Sequence, residues 1–299
     1  MIGRILNVGL IVVFLFSCNS KNDGDAFSDL TNKGRNDSIK NERIKKLIEE
    51  ELSKQKKGSR INYKEFYDRL LQIDSSNINL KIRHAYSTLY LNNDLIGIKE
   101  FKEILRKENN NGEALFGLGI AFYKINLDSS FYYCEKAIEI NPIDNLKIVD
   151  LANMYDEQEM DDKAIITINK AIKNLPNNVG LLLRRASYKI GVDDFEGALK
   201  DMEIVPKSHE KDESLYINRA VCYLYLKKDK ECIEQADIAI KLDPNGNSDF
   251  YFLRAKAKSH LKDKEGAYED LKKAVELGNK EARPFYEKAS EYFKTHKSS

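Results

Sequence analysis

Four histidines (His84, His209, His260, His296) and four cysteines (Cys18, Cys134, Cys222, Cys232) are the side chains of this 299-residue sequence best suited to ligate a metal or supply a nucleophile. A zinc site needs several such ligands at short, regular spacing, and no second His lies at that spacing from any of the four. A lone histidine is ordinarily a solvated or packing side chain. The 48 Asp and Glu put carboxylate pairs at helical spacing throughout, mostly beside Lys; they read as solvated helix faces. No phosphate loop, dinucleotide fingerprint, His-Glu-x-x-His or Gly-x-Ser-x-Gly occurs. The expectation is a chain that is not an enzyme, with no catalytic residue, no metal site and no cofactor.

The elements that carry these residues are visible in the spacing of breakers and small residues. Pro142 and Pro176 are 34 apart and Pro244 lies 68 beyond. Proline inside a helix costs about 3 kcal/mol, so these mark helix ends. Ala137, Ala171 and Ala239 each stand five residues before a proline, and Ala164, Ala198 and Cys232 repeat every 34, with Ala267 35 further on. The pair Arg-Ala recurs at Arg185-Ala186, Arg219-Ala220 and Arg254-Ala255. The best-formed copy, Glu213–Asn245, reads as two amphipathic helices closed by Asp-Pro-Asn.

A period of 34 with two helices per unit resembles the tetratricopeptide repeats over residues 42–281. The resemblance implies an all-α, right-handed superhelical solenoid of antiparallel helix pairs. Units are placed at 44–77 (degenerate), 78–110, 111–144 (one residue short between its helices), 145–178, 179–212, 213–246 and 247–281. A capping helix at 282–295, with Pro284 in its first turn, would cover the last unit. In each pair a small residue on the first helix (Ala152, Ala220, Ala255) faces one on the second (Ala164, Cys232, Ala267), and stability comes from stacking neighbours. Pro206 comes early and predicts a local irregularity in the fifth unit. Cys134 and Cys232 read as buried thiols. Cys222 is turned about 200° from the face that meets the second helix, so a Cys222–Cys232 disulfide is not expected.

Residues 1–17 have the layout of a signal peptide, with Arg4 before a 12-residue apolar run from Ile5 to Phe16, too short to span a bilayer. Leu15-Phe16-Ser17-Cys18 resembles a bacterial lipobox, which implies cleavage before Cys18 and lipid on its sulfur. Residues 18–40 are polar and read as a tether; Lys21, Asp23 and Asp25 resemble export signals of Bacteroidetes-type surface lipoproteins. The expected location is the bacterial envelope, on the outer membrane. The net charge of +1 says nothing about partners, but the lack of a basic excess on one face argues against nucleic acid.

In the repeat family the first helices line a concave face that binds peptides or partner helices. Carried over residue by residue, the groove positions here are Tyr86, Tyr90, Tyr123, Asn153, Asp156, Arg184, Asn218, Tyr225 and His260. Tyrosine and arginine suit such a role because they combine contact area with a polar tip. The family's carboxylate clamp has no match beyond Asn218, since Leu183, Ser187, Asp249 and Leu253 fill its other positions. The expected function is a non-catalytic scaffold for a protein or peptide partner. The alternative, glycan capture for carbohydrate uptake, is disfavoured because the chain has no Trp platform.

Overall fold

The computed structural model describes residues 38–56, 61–205 and 213–296. The signal peptide, Cys18, the tether as far as residue 37 and the Pro206 irregularity lie outside the described residues. Every element among those described is an α-helix.

The helices alternate as first and second members of pairs. They are α1 (Ser38–Lys56) and α2 (Tyr63–Ile73), α3 (Ile78–Tyr90) and α4 (Asp94–Leu105), α5 (Gly112–Phe122) and α6 (Leu127–Ile140), and α7 (Asn145–Glu157) and α8 (Asp161–Asn174). The series continues with α9 (Val179–Gly191) and α10 (Phe195–Glu203), α11 (Glu213–Tyr225) and α12 (Asp229–Leu242), α13 (Asp249–His260) and α14 (Lys264–Glu276), and ends on the single α15 (Arg283–His296). One boundary moves: α1 begins at Ser38, inside the stretch assigned to the tether. Its first turn leaves Ile39 exposed, so no buried apolar residue announces the helix until Ile44.

Local chemistry sets the ends. Asn77, Asn111 and Asn178 each accept a hydrogen bond from the backbone N–H three residues on, and Asp144 does the same for Lys147. These side chains satisfy N–H groups that a helix start otherwise leaves unpaired. At the far end α6, α8 and α12 stop at Asn141, Leu175 and Asp243, all out of the helical conformation and each followed by proline, which disfavours a helical residue before it. Between helices, Asn92, Glu159, Asp193, Lys227 and Lys262 adopt φ of 57–66°. The turn between α5 and α6 has no such residue: the missing position there is the left-handed one.

The chain forms two compact units that divide between Leu151 and Ala152. In the first, Ile44 and Ile48 of α1 meet Phe66 and Leu70 of α2 and Leu80 of α3. A second cluster joins Ala85 and Leu89 of α3, Phe101 of α4, and Ala114 and Leu118 of α5. In the second unit, Ala186, Ala198, Met202, Leu215 and Cys222 form one cluster, while Ala220, Cys232, Leu253 and Ala257 form the next. Cys222 and Ala220 therefore serve different neighbours, because two helical steps turn a side chain by about 200°. Each core is made between pairs, which is why a single pair could not stand alone. Within each unit successive first helices also touch, α3 with α5, α9 with α11 and α11 with α13.

Polar ties complete the stacking. Arg185 on α9 forks onto Asp201 of α10 (Nε–Oδ2 2.8 Å, Nη2–Oδ1 2.6 Å) and reaches back to Asn169 of α8 (2.7 Å). Arg219 on α11 donates to the Met202 carbonyl of the preceding pair at 2.6 Å. In the first unit His84 of α3 takes the same station between Asp68 of α2 and Glu100 of α4.

Candidate functional site

The nine groove positions divide into buried, mutually bonded and open side chains. Tyr86 is buried (7% exposed); its hydroxyl donates to the Glu113 carbonyl (3.1 Å) and its ring meets Phe101 edge-on at 5.1 Å. Burial and nearby acids, Glu113 first, push its phenol well above the ordinary value. Tyr123, just past the end of α5, is buried as well (8%). Both are corrected from groove to core: Tyr86 is closed over by Phe101 of its own pair and by the start of α5 in the next, contacts that the spacing of one helix does not reveal.

Asn153 and Arg184 come together. The Arg184 guanidinium donates to Asn153 Oδ1 at 3.0 Å, and the same oxygen accepts the Tyr188 hydroxyl at 2.7 Å. Tyr188 is buried, and burial raises its phenol pKa against the influence of Arg184. Arg184 is exposed, while Asp156 and Asn218 are half-buried. The result is a charged fork held at the surface by a hydrogen-bonded base, with part of its ordering entropy already spent.

The other members stand apart. Tyr90 is half-exposed at the end of α3 (51%). Tyr225, at the end of α11, is 60% exposed and lies flat on Phe195 of α10, with centroids 4.8 Å and planes 7° apart. His260 is exposed, its Nδ1 2.8 Å from Asp229 Oδ1. Sequence reasoning missed Tyr188 and Phe195, the two rings that support Arg184 and Tyr225. Each belongs to a first turn or face that reads as ordinary packing.

The remaining chemistry is quiet. Cys134, Cys222 and Cys232 are free and buried. Burial pushes the Cys222 and Cys232 thiols up to about 12, and Cys134 higher still. Among the described residues no helix is long and apolar enough to cross a membrane.

Residues 248–277, spanning α13 and α14, match the family model described as tetratricopeptide repeat. The fold is a tetratricopeptide-repeat fold. The same architecture is found in the C-terminal part of a tetratricopeptide-repeat protein from Cytophaga hutchinsonii, with a TM-score of 0.59, 18% identity, and coverage of 73% of this chain and 88% of that one. A tetratricopeptide-repeat protein from Parabacteroides merdae superposes with a TM-score of 0.53 at 17% identity, over 83% of this chain and 98% of that one. By sequence the chain is similar to a DnaJ homolog subfamily C member 3 homolog of Dictyostelium discoideum, 29% identical over 241 residues, or 79% of this chain and 44% of that protein. It is also similar to a DnaJ homolog subfamily C member 7 homolog of Schizosaccharomyces pombe, 30% identical over 115 residues, or 38% of this chain and 23% of that protein. The chain thus spans less than half the length of these relatives. Tetratricopeptide-repeat proteins are generally non-catalytic scaffolds for protein partners, and the fold here fits that use.

Proposed function

We propose that this chain is a non-catalytic adaptor, anchored through lipid on Cys18 to a bacterial envelope membrane (the outer membrane), which binds a peptide or protein partner along the first helices of its repeats. The observation that carries the binding reading is the Arg184 fork, exposed and held by Asn153 and Tyr188. An arginine with a buried support loses little freedom on engaging a carboxylate or carbonyl, which makes it a favourable anchor. Tyr225 on Phe195 is a second, flat aromatic surface of the same kind. A fold neighbour, YrrB, is described as a tetratricopeptide-repeat protein with an unusual peptide-binding site (TM-score 0.50, 17% identity, 60% of this chain and 93% of that one); peptide capture is a use this fold admits. The anchoring reading rests on the apolar run, the Ser17-Cys18 junction and the polar tether, since each buried lipid methylene contributes about 0.8 kcal/mol.

The test is affinity purification from cross-linked envelopes with the natural chain and an Arg184→Ala, Tyr225→Ala double variant. A reproducible protein partner lost with the variant is expected. Unchanged capture by a folded variant would put binding elsewhere, and retention on polysaccharide without a protein partner would overturn the adaptor reading. Cys18→Ala is expected to abolish labelling by a fatty-acid probe; undiminished labelling would remove the lipid anchor.

A further inference from the structure

In the second unit successive first helices touch, but α15 packs along α14 and leaves part of α13 uncovered. The space between α13, α14 and α15 is a cavity of about 440 Å³. Its apolar lining is aromatic. Phe252 of α13 meets Phe285 of α15 at 5.5 Å, Tyr268 of α14 meets Phe293 at 5.0 Å, and Tyr292 stands edge-on to Phe293 at 5.5 Å. Phe285 is 53% exposed, so an apolar ring lies open beside the cavity.

Its charge is one-sided. Each wall supplies a lysine: Lys256 from α13, Lys264 from α14 and Lys288 from α15, and among the described residues no carboxylate lines the cavity. The Lys256 amine rests 4.0 Å from the centre of the Phe252 ring. Among the described residues neither it nor Lys288 has an ion-pair partner. Burial lowers the Lys256 pKa, although Glu281 and Asp249 act in the opposite direction. Lys264 donates to the Tyr292 hydroxyl at 3.0 Å and lies over that ring at 4.4 Å. A half-buried ammonium that rests over a ring face and makes no ion pair has given up hydration without gaining a carboxylate in contact, and an incoming anion would supply it.

From this juxtaposition we infer that the cavity under α15 is a binding pocket for a peptide segment with a bulky apolar side chain bracketed by Asp or Glu. The side chain fills the aromatic space, and the flanking carboxylates reach Lys256 and Lys288. Three cations on three walls suit acids on both sides of the buried side chain better than one terminal carboxylate. The inference deepens the peptide-binding reading by placing a subsite at the C-terminal end of the array and stating its chemistry.

The experiment is selection of a random-peptide library on the full chain, repeated with K256Q, K288Q and the Arg184→Ala, Tyr225→Ala variant, each checked for an unchanged melting temperature. The expected result is enrichment of sequences with an aromatic or large aliphatic residue flanked by acids. Their binding should fall about tenfold or more in K256Q and K288Q, and weaken with added salt. Enrichment without acidic bias, no enrichment, or acidic peptides that bind both lysine variants normally would overturn the pocket. Peptides lost only with the Arg184→Ala, Tyr225→Ala variant would overturn the pocket and leave the wider binding reading intact. A partner captured from envelopes with no effect of K256Q would have the same meaning.

Discussion

Arg254 on α13 grips Asp270 on α14 with both arms of its guanidinium, Nε to Oδ2 at 2.9 Å and Nη2 to Oδ1 at 2.6 Å. The remaining Nη1 reaches back to Asp237 on α12, so one side chain ties three helices in two successive pairs. The pattern repeats 69 residues earlier in Arg185 and Asp201, and in each case a lysine one turn on, Lys258 or Lys189, adds a second cation to the carboxylate. Asp270 is 4% exposed. A carboxylate so buried is tolerable only because planar, bidentate recognition satisfies both oxygens.

Removing one side of this pair should cost more than removing both. Arg254→Met leaves Asp270 buried with Lys258 alone and is expected to destabilise the second unit by about 3 kcal/mol. The double variant Arg254→Met, Asp270→Leu is expected to recover part of that loss. Urea denaturation of the single and double variants measures the difference; an equal or larger loss in the double variant would contradict it.

His84 gives the first unit a dependence on pH. Its Nδ1 is 3.3 Å from Glu100 and its Nε2 2.9 Å from Asp68. The hydrogen bond to Glu100 and the two nearby carboxylates hold its pKa above 6.5, against burial and Lys64. The charged imidazole is therefore favoured in the folded chain. Its stabilisation is fully present below the unfolded value and is lost as pH rises through the raised folded value. Amide exchange in α2–α4 should accelerate as pH rises through that window, after correction for intrinsic exchange, and His84→Gln should remove the change.

The left-handed turn at Lys227 predicts opposite effects of two substitutions. Its φ is 59°, a conformation that a β-branched side chain resists. Lys227→Val is expected to cost about 1–2 kcal/mol, and Lys227→Gly to be near neutral or slightly stabilising. Thermal melts of the two variants compare them directly.

Gly119 on α5 marks a close approach to α6. A Cβ there would lie 2.4 Å from Cys134 Sγ and 2.9 Å from the Ser130 carbonyl oxygen. Alanine usually stabilises a helix interior relative to glycine by about 1 kcal/mol. Here overpacking against backbone should win, and Gly119→Ala should lower stability by about 1–3 kcal/mol. Adding Cys134→Ala would relieve the sulfur contact but not the carbonyl one, so denaturation should show only partial recovery.

The three buried thiols should be inert in the folded chain. With Cys222 and Cys232 pushed up to about 12 by burial, little thiolate exists at neutral pH. Mass spectrometry after brief iodoacetamide treatment should find Cys134, Cys222 and Cys232 unmodified in buffer and fully modified in denaturant.

The pairing of helices was legible because its signals are local. Prolines one residue past Asn141, Leu175 and Asp243, small residues at Ala164, Ala198 and Cys232, and the Arg-Ala pairs all act within a turn or two of where they stand. Even the shortened third unit has a local cause in its turn between α5 and α6. The start of α1 was not legible, because an exposed first turn carries no apolar period.

The candidate site was legible only in part. Tyr86 and Tyr90 lie four residues apart on α3, yet one is in the core and the other faces solvent. Tyr86 owes its burial to Phe101 and to the carbonyl of Glu113, 15 and 27 residues further along. Arg184 depends on Asn153, 31 residues before it, and the terminal cavity on α15 leaving α13 partly uncovered. The amino-acid sequence by itself determined an all-helical chain of repeated pairs, because helix periodicity, caps and breakers are decided by near neighbours. Which first-helix side chains are spent on packing, and which stay exposed, only the tertiary structure decided, because burial is set by helices distant along the chain.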